Sequence, residues 1–323
     1  MRVMVTGGAG YIGSTTAAAL LAAGHDVVVV DDLRRGHAEL VPDGADLVEV
    51  DIADATRLDP VLRDADAVVH FAAAIEAGES MRSPARYFAD NTAATMLFLQ
   101  QVVDAGISRF VFSSTAAVYG APSEIPLRED ARTEPESVYG ATKLAVEREL
   151  RWLGRLGVLR SVALRYFNVA GATAHRGEDH DPETHLIPLV LAAAAGRRDG
   201  IAIYGTDYDT PDGTCVRDYV HVTDLADAHL KALAAVDDHD HMVCNLGNGA
   251  GFSVREVIDA ARRVTGVDFP VRIEERRPGD PSVLVASSDR ARRELGWTPN
   301  VTSLDEIVAS AWTWHRARWS IED

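Results

Sequence analysis

A turn built from glycines, between an apolar strand and a helical pattern, constrains the fold of this chain more than any other feature. Gly7, Gly10 and Gly13 follow the apolar segment 2–6 and open a helical pattern over residues 11–23. The first glycine permits a tight turn, the second lets a pyrophosphate approach the backbone, and the third allows close packing of helix on sheet. The free N–H groups and positive dipole of the helix N-terminus favour phosphates. The turn therefore predicts a dinucleotide-binding domain.

An acidic residue after the next strand indicates which dinucleotide binds. The valine run at 26–30 is typical of a strand buried on both faces, and Asp31 closes it. A carboxylate there accepts hydrogen bonds from the adenosine ribose and repels a 2′-phosphate, which favours NAD over NADP. Arg34 and Arg35 could instead receive that phosphate, but we give Asp31 the greater weight. We expect Asp51, after the third strand, on the adenine side, with a simple turn residue as the alternative.

Short apolar runs and longer helical patterns alternate along the first half of the chain. The predicted strands are 2–6, 26–30, 47–50, 67–70, 109–113 and 161–165, and the predicted helices are 11–23, 55–63, 84–105 and 138–153. Strands separated by helices of this length require right-handed crossovers and a parallel sheet. The pattern predicts an α/β fold with a doubly wound, mostly parallel Rossmann sheet.

The regular alternation of predicted strands and helices ends in the second half of the chain. Residues 175–184 and 205–213 are polar loops, too long for tight turns, and loops of this kind usually build a substrate site. The later predicted elements are a strand at 242–246 and helices at 254–265 and 304–316. We expect an NAD-binding domain over residues 1–171, completed by segments near 215–250, and a smaller substrate-binding lobe over 172–323.

Composition excludes several classes of partner. Lys and Arg number 32 against 49 Asp and Glu, which gives a net charge of −17. The chain has no long basic run, so we expect no nucleic-acid or membrane partner. The apolar run 186–195 contains Pro188 and is far shorter than the roughly 18 residues of a membrane span. Cys215 and Cys244 lack the spacing of a metal pair, and the N-terminus lacks a leader pattern; we expect a cytoplasmic protein with reduced thiols.

Three residues form a candidate catalytic group. Tyr139 and Lys143 lie one helical turn apart and project from the same face. A phenol has a reference pKa of about 10, and a nearby ammonium together with a positive nicotinamide ring would favour the phenolate. Thr115 follows a strand at the edge where open α/β sheets bind ligands. A helix surface pair and a turn cap are the alternative interpretations.

The sequence around these residues resembles a known superfamily. The glycine turn, SSTAAVYG at 113–120 and YGATK at 139–143 resemble the extended short-chain dehydrogenase/reductases. Three further segments resemble the UDP-glucose 4-epimerase family within it. They are RYFNVAG at 165–171, YGTDYDTPDGT at 204–214 and VRDYVHV at 216–222.

The resemblance implies a reaction and an assembly. Tyr139 would take the proton of the sugar 4-hydroxyl, Thr115 would bridge by hydrogen bonds, and a retained NAD would relay the hydride. A 4-ketose would turn over and regain hydride on its other face, which interconverts UDP-glucose and UDP-galactose. The resemblance also implies a homodimer built from helices 84–105 and 138–153.

The resemblance further assigns the binding residues. The cofactor would contact Gly7, Gly10, Tyr11, Ile12, Gly13, Asp31, Asp32, Leu33, Asp51, Ile52, Phe71, Ala72, Ala73, Asn91, Lys143 and Tyr166. The UDP-sugar would contact Thr115, Tyr139, Asn168, Leu186, Tyr204, Arg217, Arg277 and Asp280. A guanidinium suits a pyrophosphate and Asp280 suits ribose hydroxyls. Surface charge remains the alternative for the arginines, and core packing for Tyr166 and Asn91.

Four positions refine the implied activity. Ala116 and Ala117 follow Thr115 where related dehydratases carry an acid, so neither side chain can move a proton. Ile75 replaces a lysine that contacts the cofactor in many members, which weakens the expected retention of NAD. Leu284 replaces a bulky tyrosine that gates the sugar in glucose-restricted members, and the smaller side chain suggests tolerance of N-acetylated sugars.

Other activities remain open at this point. The alternatives are another NAD-dependent sugar-nucleotide enzyme, such as a UDP-uronate 4-epimerase or a net oxidoreductase, and a catalytically silent nucleotide-sensing protein. No metal is expected, because His175, His180 and His185 share no helix face and residues 237–241 form a solvated loop.

Overall fold

The elements of the first half pair into one parallel sheet with helices on both faces. The computed structural model describes residues 1–122, 124–277 and 279–321. Its strands are β1 (Arg2–Thr6), β2 (Asp26–Asp31), β3 (Asp46–Glu49), β4 (Ala67–His70), β5 (Arg109–Thr115), β6 (Arg160–Tyr166), β7 (Asn168–Ala170), β8 (Ile201–Tyr204), β9 (Val216–Arg217), β10 (Tyr219–His221), β11 (His241–Leu246), β12 (Phe252–Ser253), β13 (Val271–Glu274) and β14 (Val283–Leu284). Seven of them pair in the order β3-β2-β1-β4-β5-β6-β11, and every pairing is parallel. The predicted α/β fold is confirmed.

Helices connect the strands and cover the sheet. They are α1 (Tyr11–Ala22), α2 (Ala55–Leu62), α3 (Ala77–Arg82), α4 (Pro84–Tyr87), α5 (Ala94–Asp104), α6 (Val138–Arg155), α7 (Leu186–Ala194), α8 (Val222–Ala235), α9 (Val254–Thr265), α10 (Asp289–Leu295) and α11 (Leu304–Arg318). A π-helical segment, Phe88–Ala93, joins α4 to α5, so the single helix predicted over 84–105 is interrupted in its first half. Both β5 and β6 run further than predicted, so Thr115 and Tyr166 are the last residues of their strands.

Alternate side chains of the central strands enter two separate cores. On β1, Val3 and Val5 belong to the core that also contains residues of α1 and α8, whereas Met4 belongs to the core beneath α2, α5 and α6. On β2, Val27 and Val29 separate from Val28 and Val30 in the same way. Burial of a strand on both faces is what its continuous valine run predicted.

A third core lies among the later elements. It joins residues of α7, α9 and α11 with strands β8 and β13, which pair in parallel. Residues 175–184 and 205–213 lie outside helices and strands, as predicted. Strand β7 pairs with β10, and this pairing connects the end of the large sheet to the segments of the second half.

Across the described residues, the helices are all too short or too polar to cross a lipid bilayer.

Candidate active site

A cavity of about 520 Å³ opens at the carboxyl ends of the parallel strands. It lies where the strand order reverses between β1 and β4, the position at which open α/β sheets bind ligands. Asp31, Thr115 and Tyr166, the last residues of β2, β5 and β6, line it. We call it the sheet-edge cavity.

The glycine turn forms one wall of the sheet-edge cavity. Gly7 has a φ of +67°, and a Cβ there would lie 2.6 Å from the backbone nitrogen of Ala72. A Cβ on Gly13 would lie 2.2 Å from the carbonyl oxygen of Gly7. Both positions exclude a side chain, and α1 starts at Tyr11 with its N-terminus at the cavity. The structure thus has the tight turn and close helix packing that the glycine spacing predicted.

The acidic residues after β2 are held by backbone donors and by neighbouring arginines. The Asp31 carboxylate accepts hydrogen bonds from the N–H of Ala9 at 3.0 Å and of Leu33 at 2.9 Å. Burial raises the pKa of Asp31, and these two N–H groups oppose the change. The guanidinium of Arg34 pairs with Asp32 and, at 3.2 Å, with Asp51.

The second arginine of this region is also partnered by a carboxylate. The Arg35 guanidinium lies 3.2 Å from Glu76, and it donates a hydrogen bond to the carbonyl of Asp181. Because carboxylates already hold Arg34 and Arg35, neither guanidinium is positioned as a free receptor for a 2′-phosphate. This arrangement agrees with the prediction, made from Asp31, that the chain binds NAD rather than NADP.

Thr115, Tyr139 and Lys143 come together in the sheet-edge cavity. The ammonium of Lys143 is buried and donates a hydrogen bond to the carbonyl of Ser113 at 3.0 Å. Burial raises the pKa of Tyr139 to about 12, against the effect of its hydrogen bond with Thr115. Burial also lowers the pKa of Lys143 to about 7. The protein on its own therefore favours a neutral phenol and partly neutral amine, rather than the phenolate expected beside an ammonium.

Most of the expected cofactor residues line this cavity. Those that do are Gly7, Gly10, Tyr11, Ile12, Gly13, Asp31, Asp32, Asp51, Ile52, Phe71, Ala72, Ala73, Lys143 and Tyr166. The two that do not are Leu33, which contributes its N–H to Asp31, and Asn91. The amide of Asn91 is buried and forms two hydrogen bonds of 2.8 Å with the backbone of Ala74. Asn91 thus supports a loop of the cavity wall from behind, and packing was the alternative kept for it.

The expected substrate residues divide into two groups. Thr115, Tyr139 and Asn168 line the sheet-edge cavity. Asp280 lies 3.5 Å from Arg217 and 2.8 Å from Arg277, and the Arg277 guanidinium stacks over the Tyr204 ring. We call Tyr204, Arg217, Arg277 and Asp280 the arginine cluster; it is not part of the cavity wall, and Leu186 also lies outside that wall.

Strand pairing places the arginine cluster beside the cavity. Asn168 pairs with Tyr219 across β7 and β10, and Arg217 precedes Tyr219 by two positions along the chain. Arg217 also pairs with Leu284 across β9 and β14. Leu284, the expected gate position, in turn packs against a buried group that contains Val118 and Tyr119, just beyond Thr115.

Several wall residues had no role in the sequence interpretation. Ser113 accepts the Lys143 hydrogen bond with its carbonyl, and its hydroxyl contacts the Tyr166 hydroxyl. The serine pair before Thr115 was a signal for a polar strand end. Glu178, His180 and His185 also line the cavity. The last two were judged unrelated because they share no helix face, but the loop brings them together with Glu178 and Glu183.

The sequence profile of the NAD dependent epimerase/dehydratase family matches residues 3–247. The chain belongs to this family. NAD is its cofactor, and the sheet-edge cavity has the features that NAD requires: a turn closed to side chains, a helix N-terminus and an acid after β2.

Relatives and solved structures resemble the chain over nearly its whole length. The UDP-glucose 4-epimerase of Azospirillum brasilense is 51% identical over 321 residues, which cover 98% of this chain and 92% of that protein. A UDP-glucose-4-epimerase structure from Stenotrophomonas maltophila, with bound NAD and formylated UDP-arabinopyranose, has a TM-score of 0.96, 40% identity and full coverage of both chains. The UDP-glucose 4-epimerase from Bifidobacterium longum, in complex with NAD+ and UDP, has a TM-score of 0.93 and 36% identity, with 98% of each chain covered.

Proposed function

We propose that this protein is a UDP-hexose 4-epimerase that interconverts UDP-glucose and UDP-galactose, and hence an isomerase of galactose metabolism. The observation that carries the proposal is the meeting of Thr115, Tyr139 and Lys143 with the glycine turn in one cavity. The UDP-glucose 4-epimerases among its relatives support the choice of substrate.

The side chains of the cavity handle the proton of the reaction. The phenolate oxygen of Tyr139 accepts the proton of the sugar 4-hydroxyl, with the Thr115 hydroxyl as a hydrogen-bonding bridge, and C4 becomes a carbonyl. When bound, NAD supplies the acceptor and then the donor of the hydride. After the 4-ketose turns over, Tyr139 returns its proton to the oxygen at C4, and the product has the opposite configuration.

The residues after Thr115 favour epimerisation over the elimination chemistry of the same family. Ala116 and Ala117 form a 3-10 turn directly after β5. Neither side chain has a group that transfers a proton, and elimination would need an acid at this place. A ketose intermediate that can only be reduced again therefore suits the site.

We assign the substrate nucleotide to the arginine cluster. Arg217 and Arg277 would bind the diphosphate, and Asp280, which now lies between them, would accept hydrogen bonds from the ribose hydroxyls. The ring of Tyr204 and the first residue of α7, Leu186, would contact the uracil side. The sugar would then extend past Asn168 toward Tyr139 in the cavity.

We assign cofactor binding and substrate binding to different halves of the chain. We assign NAD to residues 1–171, with β11 and α8 completing their sheet and core, and the UDP-sugar to the lobe over 172–323. The third core, among α7, α9 and α11, supports this division.

We also propose a homodimer through α6 and the helical segment 84–104, the two regions that the resemblance implies. Phe88 is 43% exposed, Leu97 61% and Trp152 60%, although all three are large apolar side chains. Exposed apolar residues grouped on neighbouring helices are typical of an interface between subunits. Light scattering is expected to give the mass of two chains, and the double variant L97E/W152E the mass of one; a wild-type mass of one chain would contradict this proposal.

A cytoplasmic location is the remaining part of the proposal. Cys215 and Cys244 are both buried and free, which suits a reducing compartment. Fractionation of the source cells would place the protein with the cytoplasmic markers if this is right, and with the membrane or secreted fraction if it is wrong.

The proposed activity is tested by incubating the purified protein with UDP-galactose, UDP-N-acetylgalactosamine and a UDP-uronate without added cofactor. UDP-glucose is expected to form from UDP-galactose. Tyr139→Phe is expected to lower kcat by roughly 10²–10⁴-fold, the range for loss of a general acid–base, with bound NAD unchanged. Turnover of the uronate alone, or an unchanged rate in Tyr139→Phe, would contradict the proposal.

A further inference from the structure

The loop between β7 and α7 gathers four side chains of the types that bind metal ions. Glu178, His180, Glu183 and His185 each offer one ligand atom, and these atoms all lie within 4.8 Å of one another. We call them the loop cluster. It lies outside the Thr115, Tyr139 and Lys143 group and has no part in the proposed reaction.

Three distances within the loop cluster lie within about half an ångström of those between the ligands of a tetrahedral ion. Nδ1 of His185 lies 2.8 Å from Oε1 of Glu178 and 2.8 Å from Oε1 of Glu183, and Nδ1 of His180 lies 3.4 Å from the same Glu178 oxygen. Zinc bonds of about 2.0–2.2 Å to nitrogen and oxygen place neighbouring tetrahedral ligands roughly 3.3–3.5 Å apart. Small side-chain shifts from the observed positions would therefore create the coordination geometry.

One ligand atom lacks a well-formed hydrogen bond. Nδ1 of His180 is buried, and its contact with the Glu178 carboxylate is long, at 3.4 Å. The Glu178 side chain is 7% exposed, so its charge is also largely removed from water. A buried polar atom without a well-formed hydrogen bond is costly, and coordination of an ion would satisfy it.

The surroundings give the loop cluster a further need for positive charge. Glu178, His180 and His185 line the same cavity as the glycine turn, which receives an anionic dinucleotide. Glu178 and Glu183 bring two negative charges to the loop, and His185, which contacts both, supplies at most one positive charge. One divalent ion would balance both carboxylates.

Contacts around the loop hold the cluster in place. The carbonyl of Asp179 lies 3.0 Å from Nε2 of His37, and its carboxylate lies 2.7 Å from Arg318. Arg35 donates a hydrogen bond to the carbonyl of Asp181. His185 directly precedes α7, so the last ligand is fixed by a helix. Ligands held in this way lose little freedom when an ion binds.

We propose that the loop cluster is a binding site for a divalent transition-metal ion of the zinc class. Two imidazoles and two carboxylates match the mixed nitrogen and oxygen ligands of Zn²⁺ and Co²⁺, whereas Mg²⁺ and Ca²⁺ prefer oxygen alone. The ion would connect the loop beside the cofactor cavity to the start of α7 and neutralise the two carboxylates. It would take no part in the proton and hydride transfers of the proposed reaction.

Metal binding to the tag-free full chain tests this site directly. The protein is treated with a chelator, desalted and titrated with Co²⁺, and its NAD content is measured in every sample. We expect one Co²⁺ per chain with the intense visible absorption of a tetrahedral site, displacement of Co²⁺ by Zn²⁺, and a higher melting temperature with Zn²⁺.

Variants inside and outside the loop cluster distinguish binding of Co²⁺ at this site from non-specific binding at the protein surface. H180Q and E183Q are expected to weaken Co²⁺ binding by roughly tenfold or more, since changes next to metal ligands already cost 10–100-fold. H175Q removes an exposed histidine of the same loop and should bind like the wild type. Circular dichroism confirms folding of each variant. Absence of retained Co²⁺ in the wild type, or equal binding by H175Q and H180Q, would overturn the proposal, and so would wild-type binding by both cluster variants.

Discussion

The side chains of Tyr139 and Lys143 are both shifted toward their neutral forms by burial. The pKa of the phenol is raised to about 12 and that of the amine is lowered to about 7. A base must lose its proton near neutral pH to act, so the phenol needs a further positive charge in the cavity. The nicotinamide ring of oxidised NAD carries such a charge. We therefore propose that proton transfer by Tyr139 depends on the bound cofactor, so that proton transfer and hydride transfer occur together.

We propose that the side chain at position 284 limits the size of the group that the site accepts at sugar C2. Leu284 pairs with Arg217 and packs beside Val118 and Tyr119, between the arginine cluster and Thr115. We expect the wild type to turn over UDP-N-acetylgalactosamine. Leu284→Tyr should lower kcat/KM for that substrate by roughly tenfold or more while UDP-galactose changes little, because a steric contact in a pocket is worth about 10–200-fold. Steady-state kinetics on both substrates measure this, and inactivity of the wild type on the N-acetylated sugar would contradict it.

Gly13 is expected to tolerate no side chain. A Cβ would lie 2.2 Å from the Gly7 carbonyl, so Gly13→Ala must move α1 away from the turn. We expect a loss of about 1–3 kcal/mol in the free energy of unfolding, the range for overpacked sites, together with loss of bound NAD. Urea denaturation and cofactor content measure both effects. Gly78→Ala, at a position with open space around it, is the control, and equal behaviour of the two variants would contradict the packing argument.

At the scale of elements, a buried ion pair fixes α6 to the sheet. Glu147 of α6 accepts a hydrogen bond from the Arg165 guanidinium of β6 at 2.9 Å, and both side chains are buried. Ser114 of β5 donates a second hydrogen bond to the same carboxylate, and Arg165 also contacts the Tyr119 hydroxyl. Since α6 carries Tyr139 and Lys143, this network sets their position over the ends of β5 and β6.

Removal of Glu147 is expected to leave a buried, unpaired guanidinium. Glu147→Ala should lower the free energy of unfolding by about 3–5 kcal/mol, the usual effect of breaking a buried pair. Arg148→Ala changes an exposed residue of the same helix and should alter stability by less than about 0.5 kcal/mol. Chemical denaturation compares the variants. A loss no greater in Glu147→Ala than in Arg148→Ala would show that the pair does not anchor α6.

Local sequence patterns predicted most of the large sheet, and long-range packing determined the rest. The central strands β1, β2 and β4 are largely apolar runs, and α9 matched its predicted bounds because Ser253 and Gly266 mark its two ends. Helix α8 was missed although Leu225, Ala228 and Leu233 form a buried stripe. Its segment follows the polar loop 205–213, and no element was predicted between that loop and the strand at 242–246. The short pairings β7–β10 and β9–β14 join residues far apart in sequence, and no local pattern could reveal them.

In the candidate site, too, local patterns predicted some residues and the path of the chain brought others together. Asp31, Thr115 and Tyr166 were predictable because each ends or follows a recognisable strand. Glu178 and His185 meet through the path of an irregular loop, which residue spacing does not encode. The hydrogen bonds of Asn91 with Ala74 could not be predicted either, because a sequence does not distinguish a buried structural asparagine from one that binds a ligand.

At the scale of the whole molecule, the excess of acidic residues coexists with a site for anions. The net charge of −17 repels anionic ligands at long range, but salt screens such fields beyond roughly 10 Å. In the proposed assignment, the N-terminus of α1 and the arginine cluster act on these ligands at contact distance. We therefore expect recognition of the anionic cofactor and substrate to be local.

Buried histidines are expected to make the folded chain sensitive to mild acid. Burial lowers the pKa of His70 to about 3 and those of His229 and His241 to about 4, below the ordinary value near 6.5. Below that ordinary value the unfolded chain binds protons that the folded chain does not, so stability falls as pH decreases. Urea denaturation should show a nearly constant free energy of unfolding from pH 8 to about 7 and a steady decline between about pH 6 and 5. A flat profile down to pH 5 would contradict this assignment.

In the proposed reaction, the hydride removed from C4 returns to the same carbon, with no net redox change. Conversion of UDP-galactose deuterated at C4, in ordinary water and without added cofactor, tests this step. The product UDP-glucose is expected to keep its deuterium at C4, with no accumulation of free NADH. Loss of deuterium to solvent, or release of NADH in step with product, would contradict the proposed mechanism.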